Sequence, residues 1–387
     1  MFLMGVAQTS EMDGHIAATS LLEQCRQNFG DTVPQAGLLI AGHDLELDDF
    51  LTALFAIYPE LLLIGCTTVA PMSSAASYDE GATTLSLFAS DQVDFSVGIG
   101  FPDEVGIEAA AEQAVSQAKS ASDQNPALCL TVTSLEALDP IALTDALNRA
   151  LGDDVVLFGG GSVPDFPMTP LWRGSSQILN REVLSDGVPV LLMSGPLKVS
   201  VGIGHGWTPT GREAVVTKSE PGRILEINER PAVEFYHHYL GTTADAALAA
   251  PIAVTEPGAQ GHYLRATGGF DDDGAAVLQG LVPQGSRIQI TLSSVDEIVD
   301  GAGTSAQKAL AEYPPNSKPQ AALVSSCAIR NVLLGGRSAG EIVSIRNALG
   351  EDIPVQGLYA YGEIAPITPG AESRFHNNSC CTVLIGT

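Results

Sequence analysis

Arg330 and Glu363 are two charged residues whose types suit opposite ends of a small polar molecule. A guanidinium gives two parallel hydrogen bonds to a carboxylate, and a carboxylate accepts from an ammonium. Two small-residue segments have the chemistry to shape a pocket for such a molecule. Cys66, Thr67 and Thr68 put a thiol and two hydroxyls at the end of an apolar run, while Gly160, Gly161 and Ser162 offer bare backbone in the same place. Glycine N–H groups at a strand end can approach an anion, although the run lacks the GxGxxG and GxxxxGK[ST] forms of nucleotide sites. A tight turn needing positive φ is the other reading. His205 and Trp207 sit in Gly204-His-Gly-Trp207, either as a pocket wall or as a packed indole with a hydrogen-bonded histidine. Tyr361 and Glu363 close an aromatic-rich strand, and Asn377 precedes the last strand, where its side chain also suits a turn.

A rival chemistry is nucleophilic. Cys66 with His205 or His376 as base has the residue types of a thiol hydrolase, though a thiolate also needs an electropositive setting. Neither a GxSxG elbow nor an HExxH helix occurs. No metal and no cofactor are expected. His237 and His238 diverge by about 100° on a helix, and Cys380 and Cys381 alternate across a strand. Asp271-Asp-Asp273 lacks the ligand spacing of an EF-hand loop.

The elements that must hold these residues alternate between strand-like and helix-like runs. Gly37–Gly42 reads as a buried strand, 46–58 as a helix and Leu61–Ile64 as the next strand; Ala82–Phe88 and Val93–Val97 then read as an antiparallel pair. The order recurs. Leu128–Val132, a helix over 135–151 and Val155–Phe158 are followed by Val188–Leu192 and Leu197–Val201. Both passes end in the string Val-Gly-Ile-Gly, at 97–100 and 201–204. A third partial copy is read in Ala321–Val324, the helix Ala339–Leu349 and Val355–Tyr359. Between copies, the spacing predicts a helix over 224–240 and another over 296–313, with an irregular junction at 209–223. The expected fold is α/β, with mixed sheets, an internally duplicated strand-helix-strand-hairpin unit and two domains.

Composition narrows the partners. Acidic residues number 45 against 18 basic ones, a formal charge of −27, which repels nucleic acid and anionic membrane surfaces alike. A hydrophobic content of 45% with 16% charged residues requires a large folded core. No apolar run approaches the roughly 20 residues of a membrane span, and no basic leader opens the chain, so a cytoplasmic protein is expected. The six cysteines, at 25, 66, 129, 327, 380 and 381, form no CxxC pair and read as reduced thiols.

Taken in order, Ile64-Gly-Cys-Thr-Thr68, Phe158-Gly-Gly-Gly-Ser162, His205-Gly-Trp-Thr-Pro-Thr-Gly211, Pro231-Ala232 with Tyr239-Leu-Gly241, Cys327 with Arg330, Tyr361-Gly-Glu363 and Phe375-His-Asn377 resemble the FIST family. That resemblance implies an N-terminal domain over 1–212, duplicated at about 37–100 and 127–204, and a C-terminal domain over 213–387. It also implies an intracellular sensory protein that binds a small polar ligand, amino acids having been suggested, and acts in signal transduction. With no output domain recognised at either end, a separately encoded signalling partner is expected. The ligand-binding set is then Cys66, Thr67, Thr68, Gly160, Gly161, Ser162, His205, Trp207, Arg330, Tyr361, Glu363 and Asn377. The thiol hydrolase and a protein-interaction scaffold stand as alternatives.

Overall fold

The computed structural model describes residues 1–76, 78–135, 138–164, 174–241, 247, 249–259 and 261–387. The chain runs three times through one course. The first pass is β1 (Phe2–Thr9), α1 (Gly14–Arg26), β2 (Ala36–Ala41), α2 (Leu47–Ile57), β3 (Leu62–Thr67), β4 (Pro71–Ser73) and β5 (Thr83–Ser90). The second is β6 (Asp94–Gly100), α3 (Pro102–Val105), α4 (Ile107–Lys119), β7 (Pro126–Thr133), α5 (Pro140–Leu151), β8 (Val156–Gly161), β9 (Gln177–Leu179), β10 (Glu182–Leu184) and β11 (Val188–Ser194).

The third pass opens with β12 (Lys198–Gly204) and is interrupted at once. The interrupting unit holds β13 (Thr208–Glu220), β14 (Arg223–Ile227), β15 (Arg230–Pro231), α6 (Ala232–Leu240), β16 (Ile252–Thr255), β17 (Tyr263–Arg265), β18 (Thr267–Phe270), β19 (Ala276–Leu278) and β20 (Arg287–Leu292). The pass resumes with α7 (Val295–Glu312), β21 (Ala321–Cys327), α8 (Ala328–Leu334), α9 (Ala339–Leu349), β22 (Val355–Ala360), β23 (Glu363–Pro366), β24 (Ser373–His376) and β25 (Cys380–Gly386).

Strand order shows how the passes interlock. The three sheets run β1-β5-β2-β3-β9-β10, β6-β11-β7-β8-β23-β24 and β12-β25-β21-β22-β4. Each has an outer strand, an antiparallel returning strand, a parallel pair and, at the far side, a strand lent by another pass. β4 leaves the first pass for the third sheet, β9 leaves the second for the first, and β23 leaves the third for the second. The three passes are therefore laced into a ring.

Both expected hairpins are corrected by this order. β5 and β6 lie in different sheets, as do β11 and β12, so each connection carries the chain from one pass to the next. Two apolar runs joined by a short polar link have the same pattern in either case. The repeated Val-Gly-Ile-Gly strings also gain a reason. A Cβ on Gly98 or Gly100 would stand 2.0 Å from the carbonyl oxygens of Ala114 or Ala110 in α4, and one on Gly202 or Gly204 would stand 2.1 Å from those of Ser305 or Gly301 in α7. Only glycine lets each helix seat directly on its strand.

The inward faces of the three sheets share one core, in which Leu38, Leu130 and Leu323 hold corresponding register positions. Helices cover the outer faces as three further clusters, and the interrupting unit has a core of its own around Val216, Ile252 and Ile290. Helix starts follow local chemistry. The Asp13 and Asp139 side chains accept from the first-turn N–H groups of α1 and α5, and Ser294 with Glu297 forms a capping box on α7.

The expected junction and two helix starts change. The junction read at 209–223 is mostly β13, whose buried residues Ala214 and Val216 face the unit's core, and 224–227 is strand, so the helix begins only after Pro231. The helix predicted over 135–151 is observed from Pro140; positions 136 and 137 lie outside the described residues. The predicted division at 212 cuts between paired strands, since β12 lies along β25 and β8 along β23. Among the described residues no helix is long and apolar enough to cross a membrane.

Candidate functional site

Arg330 lies in α8 with no exposed surface, and the carboxylate that answers it is Glu341 from α9. Nε and Nη2 both donate to Glu341 Oε1, at 2.8 and 2.5 Å, Nη1 donates to the carbonyls of His205 and Asn378, and Nη2 also to that of Ile298. All five N–H groups are used. The expected contact with a ligand carboxylate is thus corrected: Arg330 ties β12, α7 and the segment before β25 to one buried counter-ion. Sequence reading missed Glu341, although a signal existed, because it shares a helix face with Ile345 and Leu349 at i+4 and i+8.

Glu363 opens β23 opposite Gly160 and is also fully buried. Its Oε2 accepts from the Ser379 N–H at 3.1 Å, while Oε1 has no hydrogen-bond partner among the described residues. Burial drives its carboxyl far above the ordinary range, outweighing the Ser379 N–H and the more distant Arg330, and so favours the protonated, neutral form. The Cys327 thiol lies beside it, and burial with the adjacent carboxyl raises that thiol as well. Gln177 occupies the equivalent place in the first sheet, opposite Cys66, and donates to Ser162 Oγ at 3.0 Å.

The cysteine-threonine and glycine segments are structural. Cys66 sits in the shared apolar core with burial pushing its thiol up to about 12, which corrects the reading of an activated nucleophile. Thr67 Oγ1 accepts from the Ser176 N–H, and Thr68 donates to the Tyr359 carbonyl at 2.7 Å. Gly160 and Gly161 are the last residues of β8 and neither has positive φ. The Gly161 N–H donates to the Gly362 carbonyl, so it is not offered to an anion. A Cβ on Gly160 would come within 2.6 Å of Ser325 Oγ, which marks a close approach of two sheets. Trp207 is packed, its Nε1–H donated to the Ala249 carbonyl and its ring 5.7 Å from the Arg330 guanidinium.

Open space lies one step outward. A cleft of about 400 Å³ forms where β12, α7, β17 and the β23–β24 connection meet. His205, His262 and His376 line it with Lys308, Glu312 and Ser379. His205 Nδ1 accepts from the Trp207 N–H at 3.0 Å, so its neutral ring carries the proton on Nε2. His376 Nε2 donates to the Ala365 carbonyl at 2.9 Å. Burial, then for His205 its neighbours His262 and Arg330, lowers both imidazoles to about 4. The rings of His205 and His262 are 5.8 Å apart. Lys308 Nζ is fixed on the Ile203 carbonyl at 2.8 Å.

The twelve expected residues therefore separate. His205 lines the cleft, Arg330 holds the His205 carbonyl, and Glu363 lies directly beneath Ser379. Tyr361 faces a different cavity, beside Gln279, and the Asn377 amide reaches the same Gln279 at 3.5 Å. Cys66, Thr67, Thr68, Gly160, Gly161 and Ser162 stay within the sheets and their connections. His262 and Lys308 were missed because nothing local distinguishes a lone histidine in a loop or a lysine on an amphipathic helix.

Comparison with solved structures finds a cyanuric acid hydrolase from A. caulinodans at 9% identity and TM-score 0.35, covering 100% of this chain and 99% of that one. T. maritima PurL complexed with FGAR follows at 10% identity and TM-score 0.23, covering 100% and 72%. Similarity this low supports no argument. No curated protein matches. Family models do: the FIST N domain over residues 35–230 and the FIST C domain over 232–366. FIST domains are sensory, small-ligand-binding domains of signal transduction. With both models matched in sequence and together spanning most of its length, the chain belongs to the FIST family.

Proposed function

We propose that this protein senses an amino acid in the histidine cleft and passes the occupancy of that cleft, in the cytoplasm, to a separately encoded signalling partner. The observation that carries the reading is the cleft's composition. Three imidazoles that are neutral at pH 7 supply directed donors and acceptors, while Lys308 and Glu312, one turn apart on α7, supply one charge of each sign. A zwitterion matches that arrangement, its carboxylate toward Lys308 and its ammonium toward Glu312. The cleft lies between the ring of three passes and the interrupting unit, so a ligand that favours one spacing of the two shifts their equilibrium by its differential affinity.

A thermal-shift screen of the twenty amino acids tests it. At about 100 times Kd a bound ligand should stabilise the fold by roughly 2.7 kcal/mol. The shift should shrink in His262→Ala and in Lys308→Met. A panel without any shift removes the amino-acid reading, and a shift unchanged in both variants removes the cleft assignment.

A further inference from the structure

The two histidines that the ring of passes brings to the cleft have fixed and opposite polarities. The Trp207 backbone N–H donates to His205 Nδ1 at 3.0 Å, and a ring nitrogen that accepts carries no proton of its own. The neutral ring therefore holds its hydrogen on Nε2, and what it offers the cleft is a donor. Gly206, at φ +93°, makes the turn that brings the N–H back to the ring two residues earlier. His376 is reversed. Its Nε2 lies 2.9 Å from the Ala365 carbonyl, an acceptor without a proton, so Nε2 carries the hydrogen and Nδ1 is the acceptor. Burial lowers both rings to about 4, so each is neutral at pH 7. Both fixing contacts are made by main chain, so neither ring exchanges its role without breaking a backbone hydrogen bond.

Charge along the cleft wall is balanced as it stands. Among the described residues Lys308 and Glu312 are the only permanently charged side chains that line it, one of each sign, and the main-chain groups of a zwitterion use both. A side-chain carboxylate would add a second negative charge without a second cation to meet it, and a lysine or arginine side chain would add a second positive one. A hydrocarbon side chain suits Val201, Ile203 and Leu264 but leaves the His205 donor and the His376 acceptor dehydrated and unpaired. Sites made for hydrogen bonds reject such analogues strongly. A hydroxyl presents both roles from one atom, whereas the two rings stand just past β12 and in β24. A carboxamide is neutral and holds an acceptor and a donor on separate atoms of one plane.

We propose that the cleft selects an amino acid with a primary carboxamide side chain, whose carbonyl accepts from His205 Nε2–H and whose NH2 donates to His376 Nδ1. The α-carboxylate and α-ammonium meet Lys308 and Glu312. The assignment rests on the amino-acid reading of the cleft and narrows it, with His205 and His376 as the residues that set specificity. Asparagine and glutamine share this chemistry and differ in reach.

Calorimetric titration of the full chain at neutral pH with two sets of ligands tests the proposal: L-asparagine, L-aspartate and L-leucine, then L-glutamine, L-glutamate and L-homoleucine. Within each set the amide, the acid and the hydrocarbon share a shape. In one set or both, the amide should bind more tightly than its two isosteres by about tenfold or more, because a buried donor or acceptor left unpaired costs at least that factor. The set that shows it gives the side-chain length. His376→Phe keeps a ring in place and removes Nδ1, so in folded variant the amide should fall to within about threefold of its hydrocarbon isostere. An amide bound no more tightly than its isosteres in either set, or an amide preference undiminished in folded His376→Phe, would overturn the assignment and leave the amino-acid reading standing. No amino acid bound at all would overturn both. The comparison of the six ligands needs no variant, so a misfolded mutant leaves the test intact.

Discussion

Glu341 Oε1 receives two hydrogen bonds from Arg330, and neither side chain has any exposed surface. The remaining three guanidinium N–H bonds end on carbonyls of His205, Ile298 and Asn378, so one buried pair fixes the floor beneath the cleft. Removing one partner strands the other charge. Glu341→Ala should cost about 3–5 kcal/mol in urea unfolding, and Arg330→Met a similar amount. The double replacement Arg330→Met with Glu341→Met should recover much of that loss. Full additivity of the two single costs would show that the pair is not coupled.

Glu363 gives a pH signature of opposite sign to a salt-bridged acid. Its folded pKa lies well above the 4.5 of the exposed group, so the unfolded chain releases the proton first as pH rises. Its stabilising share is present below pH 4.5 and is lost above it, by up to about 1.4 kcal/mol per pH unit until the folded group ionises. Glu363→Gln keeps the shape and stays neutral. Its unfolding free energy relative to the parent should therefore rise between pH 5 and pH 8; a flat difference would contradict a buried neutral acid.

The cleft histidines act on the acid side. His205 and His376 ionise at about 4 in the folded chain against 6.5 when exposed, so stability should fall as pH drops from 6.5 toward 4. Each contributes at most about 1.4 kcal/mol per pH unit in that window. Urea midpoints at pH 7 and pH 5 should lie closer together in His205→Asn and His376→Gln than in the parent.

All six cysteines are free and buried. Native protein should be inert to a thiol-labelling reagent over the time in which urea-unfolded protein takes up six equivalents. Fast modification of Cys66 in the native state would revive the hydrolase reading.

Because β4, β9 and β23 each complete another pass's sheet, the halves should not fold apart. Residues 1–212 alone lack the strands that pair with β12 and with the far edge of β8, and should show no cooperative thermal transition. Mixing with residues 213–387 during refolding should restore one. A sharp transition in the first fragment alone would show that it is self-sufficient.

Much of this was written locally. Apolar periodicity determined the α/β class, the strand-helix-strand order and the recurrence of Val-Gly-Ile-Gly, because alternation and helical spacing are properties of neighbours in sequence. The sequence also marked His205, Arg330 and Glu363 as a group with chemistry. Partnership was not legible. Whether β5 and β6 form a hairpin or belong to separate sheets depends on register with strands far along the chain, and the same links serve both. Glu341 answers Arg330 only because α9 packs on α7 and brings its carboxylate to the guanidinium, and Cys66 is inert only because three sheets close around it. Residue types determined which chemistry was available, and the tertiary structure decided which charges were already matched, since a charge is spent or free only according to what stands within a few ångströms of it.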